Sequence, residues 1–263
     1  MIELAGGELQ TERRGPVQWI LFNRPQARNA LTWAMYEALV KECERINQDS
    51  TIRVVVITGN GQAFAAGTDI SQFQSFKTAQ DALDYERNAN HVAEAVESVS
   101  VPVIAAIAGP CTGGGASIAT CCDIRIASPS ARFGIPIART LGNCLSQQNY
   151  ARLVAAFGLP RAKQLLMTAR LMNAQDLLTA GYVAEVVTSE EGLLPRAQSL
   201  AEEIAAFAPL TLRATKLATH RVRNQLFPIE EDKDLIEMCY LSEDFREGVA
   251  SFLEKRKPNW KGR

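Results

Sequence analysis

Residues 109–117 read GPCTGGGAS. The three consecutive glycines (113–115) follow a run of β-branched and small residues, VPVIAAIAG (101–109), after Pro110–Thr112, and open a second run of small residues. The first texture belongs to a strand buried on both faces. Glycine, having no Cβ, lets a backbone approach a partner closely. A second stretch has the same form: IRVVVITG (52–59) leads into NGQAFAAGTDI (60–70). Ligands of open α/β sheets lie beyond the carboxyl ends of the strands, so these two loops mark the expected site.

Outward from the loops, strand and helix patterns alternate. VQWILF (17–22) reads as a strand. Residues 29–47 place Leu31, Met35, Leu39, Cys43 and Ile46 at helical spacing. QDALDYERNANHVAEAVESV (80–99) is an amphipathic helix between the two buried strands. A short helix is expected over 116–120, then a strand in DIRIAS (123–128). This order predicts an α/β architecture with a mostly parallel sheet. From residue 146 the texture turns helical, with helices predicted over 146–157, 161–168 and 174–180 and from 190 onward. YVAEVV (182–187) is the last clear strand. The division expected is an α/β core over 1–190 and a helical C-terminal region over 191–263.

The chain has 263 residues, 47% hydrophobic and 22% charged, with a net charge of -1. This is the composition of a globular protein with a large core and no general attraction to nucleic acid or anionic lipid. The start, MIELAGGELQTERRG, has acidic residues and no apolar stretch of the signal-peptide kind. The uncharged run 101–122 is long enough to imitate a membrane span, but Pro102, Gly109, Pro110 and Gly113–Gly115 divide it. Six cysteines show no zinc spacing, and only His91 and His220 supply imidazoles, so no metal site is expected. Reduced thiols and a cytoplasmic location are expected.

A glycine loop opening a helix can cradle phosphate, but GxxxxGK[ST] is absent, and GxGxxG does not occur in a strand–turn–helix setting. No GxSxG elbow is present. The remaining chemistry is a nest of backbone N–H groups aimed at one oxygen, the arrangement that stabilises an oxyanion. Tight helix–strand packing is the alternative use of the same glycines.

The two loops and their surroundings together resemble the enoyl-CoA hydratase/isomerase family, the crotonase superfamily. The resemblance is carried by NRPQARNALT (23–32), ITGNGQAFAAGTDI (57–70) and PVIAAIAGPCTGGGASIATCCDIRIAS (102–128). It continues through ARFGIP (131–136) and RAKQLLMTARLMNAQDLLTAGYVAEVV (161–187) to SEDFREGVASFLEKRKPNWKG (242–262). It implies a crotonase-like core of repeated ββα units, with a helical C-terminal region used for trimerisation. It also implies acyl-CoA substrates in fatty acid metabolism, assembly as a trimer or dimer of trimers, and no cofactor beyond the coenzyme A of the substrate. The backbone N–H groups of Thr68 and Gly114 match the pair that holds the thioester oxygen. Arg28, Ala66, Ile70, Phe252 and Lys255 match positions that meet coenzyme A, the last two commonly from a neighbouring subunit. Asp69 is expected to cap or pair within its loop.

Hydratases of the family use two glutamates for proton transfer. One stands two residues after the glycine triplet, where this chain has Ser117. The other follows the proline of FGIPI (133–137), where this chain has Ile137. Neither side chain supplies a base at neutral pH. Arg139, Asn143, Cys144 and Ser146 are the polar or reactive residues of the next stretch; Cys144 would need a lowered pKa, for instance from Arg139, to act. His91, Asp84 and Glu86 lie on the preceding helix. The implied activity is stabilisation of a thioester enolate. Hydration, isomerisation, decarboxylation and C–C cleavage stay open, as does acyl-CoA binding without turnover.

Overall fold

The computed structural model describes residues 1–76, 78–228 and 231–263. In chain order the strands and helices begin with β1 (Ile2–Leu4), β2 (Leu9–Arg14), β3 (Val17–Phe22), α1 (Trp33–Gln48), β4 (Val54–Gly59) and α2 (Ala79–Glu97). Next come β5 (Val103–Ile107), β6 (Pro110–Thr112), α3 (Gly114–Cys121), β7 (Ile124–Ala127), β8 (Arg132–Gly134) and α4 (Ile137–Thr140). They are followed by α5 (Gln147–Thr168), β9 (Met172–Asn173), α6 (Ala174–Thr179) and β10 (Glu185–Val186). The chain closes with α7 (Leu193–Ala205), α8 (Pro209–Leu226), α9 (Lys233–Tyr240) and α10 (Glu243–Leu253).

The main sheet runs β1-β2-β3-β4-β5-β7-β10, antiparallel at β1-β2-β3 and parallel from β3 onward. A smaller sheet, β6-β8-β9, stands beyond the end of β5. The β-branched runs fill the middle of the main sheet because both faces are covered. Ile20, Phe22, Val55, Ile57, Val103 and Ala105 face the core shared with α1, α2 and α3. Trp19, Leu21, Val54, Val56, Ile104 and Ala106 face the opposite way, onto Leu193, Ala197, Ala201 and Ile204 of α7. Those four residues recur at helical spacing, so α7 docks one apolar stripe. Trp19 adds a hydrogen bond from its indole to Gln198 Oε1 at 2.8 Å.

Several elements depart from the sequence pattern. The N-terminal strands β1 and β2 were not expected, and neither was the second sheet, whose strands are two or three residues long. The helices expected over 146–157 and 161–168 run together as α5, with Gly158 (φ 72°) interrupting the helical conformation between them. YVAEVV contributes two paired residues, Glu185 and Val186, because Tyr182 and Val183 turn back to the Leu177 carbonyl and into the core. Residues 29–32 are not helical: Arg28 and Asn29 have positive φ, and α1 begins after Thr32, whose hydroxyl accepts from the Met35 N–H. Among the described residues no helix is long and apolar enough to cross a membrane.

Candidate active site

Main-chain hydrogen bonds lock the two glycine loops together. Ala65 N–H donates to Pro110 O at 3.1 Å, and Thr112 N–H returns to Ala65 O at 2.9 Å. The buried Asn29 amide ties in the third loop, donating to the carbonyls of Asn60 (2.9 Å) and Ala63 (2.7 Å). Each glycine of the triplet has its own reason. Gly113 has φ 52° and ψ -122°, a conformation that disfavours any side chain. At Gly114 a Cβ would overlap the Tyr36 hydroxyl and crowd Thr68 Oγ1; at Gly115 it would overlap the Ala65 carbonyl. At both positions the missing Cβ makes room for close packing of protein atoms.

Leu31 fixes the orientation of Thr68. Its N–H donates to Gly67 O at 2.8 Å and its carbonyl accepts from Asp69 N–H at 2.9 Å, a parallel bridge that turns the N–H of Thr68 to the other side. Gly67, with φ 104°, makes the bend. Gly114 opens α3, so its N–H is among the first-turn donors that have no carbonyl one turn back within the helix. Both residues line one cavity of about 500 Å³. A cavity of that size takes a small organic ligand.

Three hydroxyls meet at Thr68. Its Oγ1 lies 2.8 Å from the Tyr36 hydroxyl and 3.2 Å from that of Tyr85. Burial pushes the Tyr36 phenol up to about 12 and Tyr85 well above its usual value, so both are neutral hydrogen-bonding groups. Asp69 accepts from the N–H and hydroxyl of Ser71 and pairs with Arg24 at 3.1 Å, which ties it into its own loop.

The residues named from sequence fall into two sets. Arg28, Ala66, Thr68, Ile70, Gly114, Ser117, Ile137 and Phe252 all line the cavity. Arg139, Cys144 and Lys255 do not. Arg139 is exposed on α4 and Lys255 is exposed beyond α10. In the loop after α4 the side chains of Asn143 and Leu145 face the cavity, whereas Cys144 packs with Phe73, Ile236 and Tyr240. Its thiol donates to Leu235 O at 3.4 Å, and contact with Cys239 together with burial pushes its pKa up, opposite to activation. His91 and Asp84 are exposed on α2, with Asp84 paired to Arg87 at 2.8 Å.

Glu86, on the same helix, is turned inward. It lines the cavity at 3% exposure. Its Oε1 accepts from the Tyr240 hydroxyl at 2.5 Å and its Oε2 from the Ser146 N–H at 2.9 Å. Burial raises its pKa to about 7; the two hydrogen bonds oppose that rise, and the charge of Asp232 adds to it. The contributions of Tyr36, Tyr85 and Tyr240 were not evident from sequence. Their signal is a phenol set into the apolar face of a helix, where the hydroxyl needs a partner.

Fold and loops together define a crotonase-like protein. The sequence profile of the enoyl-CoA hydratase/isomerase family matches residues 12–263, and the chain belongs to that family. The 2,3-dehydroadipyl-CoA hydratase of Escherichia coli K12 is 33% identical over 97% of this chain and 99% of its own length. A crystal structure of an enoyl-CoA hydratase/carnithine racemase from Magnetospirillum magneticum is also 33% identical. It superposes with a TM-score of 0.79, covering 97% of this chain and 96% of that one. A methylmalonyl-CoA decarboxylase in complex with 2-nitronate-propionyl-CoA is 26% identical, with a TM-score of 0.88, over 97% of this chain and 99% of that one. Relatives named as hydratase and as decarboxylase thus share this fold.

Proposed function

We propose that the protein binds an acyl-CoA thioester with its carbonyl oxygen between the N–H groups of Thr68 and Gly114, and transfers protons at the α-carbon through the enolate. The observation that carries this reading is the shared orientation of those two residues into one cavity, beside Ser117 and Ile137. Two main-chain donors stabilise the charge that develops on the oxygen, each contributing about 3 kcal/mol to such a transition state. Ser117 and Ile137 occupy the places that the family resemblance gives to the two hydratase glutamates, so water addition lacks its usual acid–base pair. Among the described residues Arg28 is the one cation lining the cavity. It belongs to the loop before α1, where it suits a coenzyme A phosphate. The acyl group itself is neutral in this reading, because a carboxylate beside Glu86 would be buried without a partner.

The assembly that accompanies this reading is a trimer or dimer of trimers. The exposed apolar side chains of Leu210, Leu217, Val222 and Leu226 on α8 give it a contact surface, and sedimentation velocity checks the mass.

The test is incubation with saturated, β,γ-unsaturated, α,β-unsaturated and carboxylated acyl-CoAs in deuterated water, read by product mass. Deuterium at the α-carbon, or movement of a double bond, is expected without water addition. Hydration as the main product, or loss of carbon dioxide from a carboxylated thioester, would overturn the reaction proposed. Unchanged masses with saturable binding would support a binding protein instead. Gly114→Val is expected to abolish exchange, because its side chain would displace Tyr36 and close the space beside Thr68. Exchange at the wild-type rate in that variant would remove the oxygen from this place.

A further inference from the structure

We infer that Glu86 is the base and acid that moves the α-proton, entering the acyl cavity from α2 rather than from α3 or the segment after β8. The inference rests on the thioester reading above and adds the proton-transfer group that Ser117 and Ile137 cannot supply.

The argument begins with what else could act. Two carboxyl groups line the cavity among the described residues, Asp69 and Glu86. Asp69 is bound to Arg24 and to Ser71, which hold its pKa down against the effect of burial. A carboxylate so stabilised is a weak base. The phenols of Tyr36 and Tyr85 are held neutral, and the Cys144 thiol faces another cluster. Glu86 has no cationic partner among the described ion pairs. It is held by neutral donors alone, the Tyr240 hydroxyl and the Ser146 N–H, one to each oxygen. Tyr240 is oriented in turn, since its oxygen accepts from Asn143 Nδ2 at 3.0 Å, which leaves its proton for Glu86. Each carboxylate oxygen keeps a lone pair for a second partner.

Placement supports the same role. Tyr85, the preceding residue, reaches Thr68 Oγ1, and both Tyr85 and Glu86 line the cavity. Consecutive residues of α2 therefore connect the proposed oxygen site with the carboxyl group. The titratable groups that face Glu86 are Tyr85 on its own helix, Tyr36 on α1, Cys144 before α5, Tyr150 on α5, and Asp232 and Tyr240 at the two ends of α9. None of them is a cation. A carboxyl group in these surroundings has both protonation states available near neutral pH, which suits a group that takes a proton and returns it.

The step balances without a co-reactant. The Cα–H bond breaks and the proton passes to the Glu86 carboxylate. Its electron pair forms the bond between Cα and the carbonyl carbon, and the carbonyl π pair moves to oxygen, facing Thr68 and Gly114. Return of the proton to Cα restores the thioester and, in deuterated water, leaves deuterium there. With a β,γ double bond the proton returns to Cγ instead, and the double bond moves to α,β.

The experiment follows α-deuteration of butyryl-CoA and isomerisation of but-3-enoyl-CoA by wild type, Glu86→Gln and Tyr240→Phe, from about pH 5 to about pH 9. Butyryl-CoA binding is measured calorimetrically on each protein. Wild-type rates are expected to rise through a midpoint near 7. Glu86→Gln is expected to lose roughly 100-fold or more in rate while still binding butyryl-CoA. Tyr240→Phe removes a hydrogen bond that favours the carboxylate, so its midpoint is expected to move up. A Glu86→Gln protein that retains the wild-type rate and midpoint would overturn the role of Glu86 and leave the enolate reading standing. Should that variant not fold, an unchanged midpoint in Tyr240→Phe would overturn it equally. Absence of exchange and isomerisation in wild type would overturn the enolate reading itself.

Discussion

Helix α2 buries two glutamates and treats them in opposite ways. Glu86 and Glu97 are 3% and 8% exposed, and both face α5 or the loop that leads into it. Glu97 is clamped by Arg152, whose Nε and Nη2 donate at 3.0 Å each, and by the guanidinium of Arg223. Burial raises its pKa, but the hydrogen bonds and charges of the two arginines outweigh that effect and hold it below the usual carboxylate value. Glu86 has the same burial and no arginine, and its pKa goes up. Partner charge, not depth, separates a structural carboxylate from one that can exchange a proton.

A polar seam connects the two. Ser146 gives its N–H to Glu86 and its hydroxyl to Asn90 at 2.6 Å. Asn149 then bridges Asn90 to Arg152, which reaches Glu97. The seam spaces its members at helical intervals on both helices, so α2 and α5 are held in one register along it.

Removing the clamp should have the largest effect. Glu97→Gln leaves Arg152 buried without its counter-charge and is expected to cost about 3–5 kcal/mol, measured by denaturant unfolding at neutral pH. Glu97 has a depressed folded pKa, so its contribution is present above its unfolded value and fades as pH falls through the folded one. The gap between wild type and variant should therefore narrow in acid. A loss of less than 1 kcal/mol would break the comparison (roughly the worth of an exposed pair).

Glu86 should respond with the opposite sign. Its folded pKa stands above its unfolded value, so folding is opposed once the unfolded carboxyl ionises. From about pH 4.5 to about pH 7, Glu86→Gln should gain about 3 kcal/mol in stability relative to wild type. Unfolding curves at the two ends of that interval read it; a constant difference would mean that Glu86 is not held in a raised state. The smallest effect belongs to Arg223→Ala. Arg223 is the more exposed arm of the clamp, with 21% of its side chain accessible against 5% for Arg152. Its loss is expected to cost about 1 kcal/mol by the same measurement, well below that of Glu97→Gln.

Much of this arrangement is written locally in the sequence. VVVITG and VIAAIAG specify strands covered on both faces, and each ends in a glycine loop, so the place of the candidate site, the cavity between the loops, is legible without coordinates. The short strands β6, β8 and β9 are not, because two or three residues carry no readable alternation. The candidate residues divide on the same ground. Thr68, Gly114 and Ser117 belong to the two loops and reach one cavity. Cys144 depended on a one-residue phase in a loop, and its neighbours Asn143 and Leu145 took the cavity-facing positions. Glu86 was visible as one acidic residue among several on α2. Its distinction from Asp84 comes from Ser146 and Tyr240, 60 and 154 residues further along the chain, and no local pattern reports contacts of that range.

The two donors proposed at Thr68 and Gly114 have a consequence for how such a pocket can change. They are main-chain atoms, so an exchange of side chain can displace them but not delete them. The surrounding hydroxyls, the serine at 117, the isoleucine at 137 and the carboxyl at 86 are side chains, each open to replacement one codon at a time. Under the proposed reading, a lineage built on this scaffold can alter what becomes of an enolate while inheriting the means of forming it.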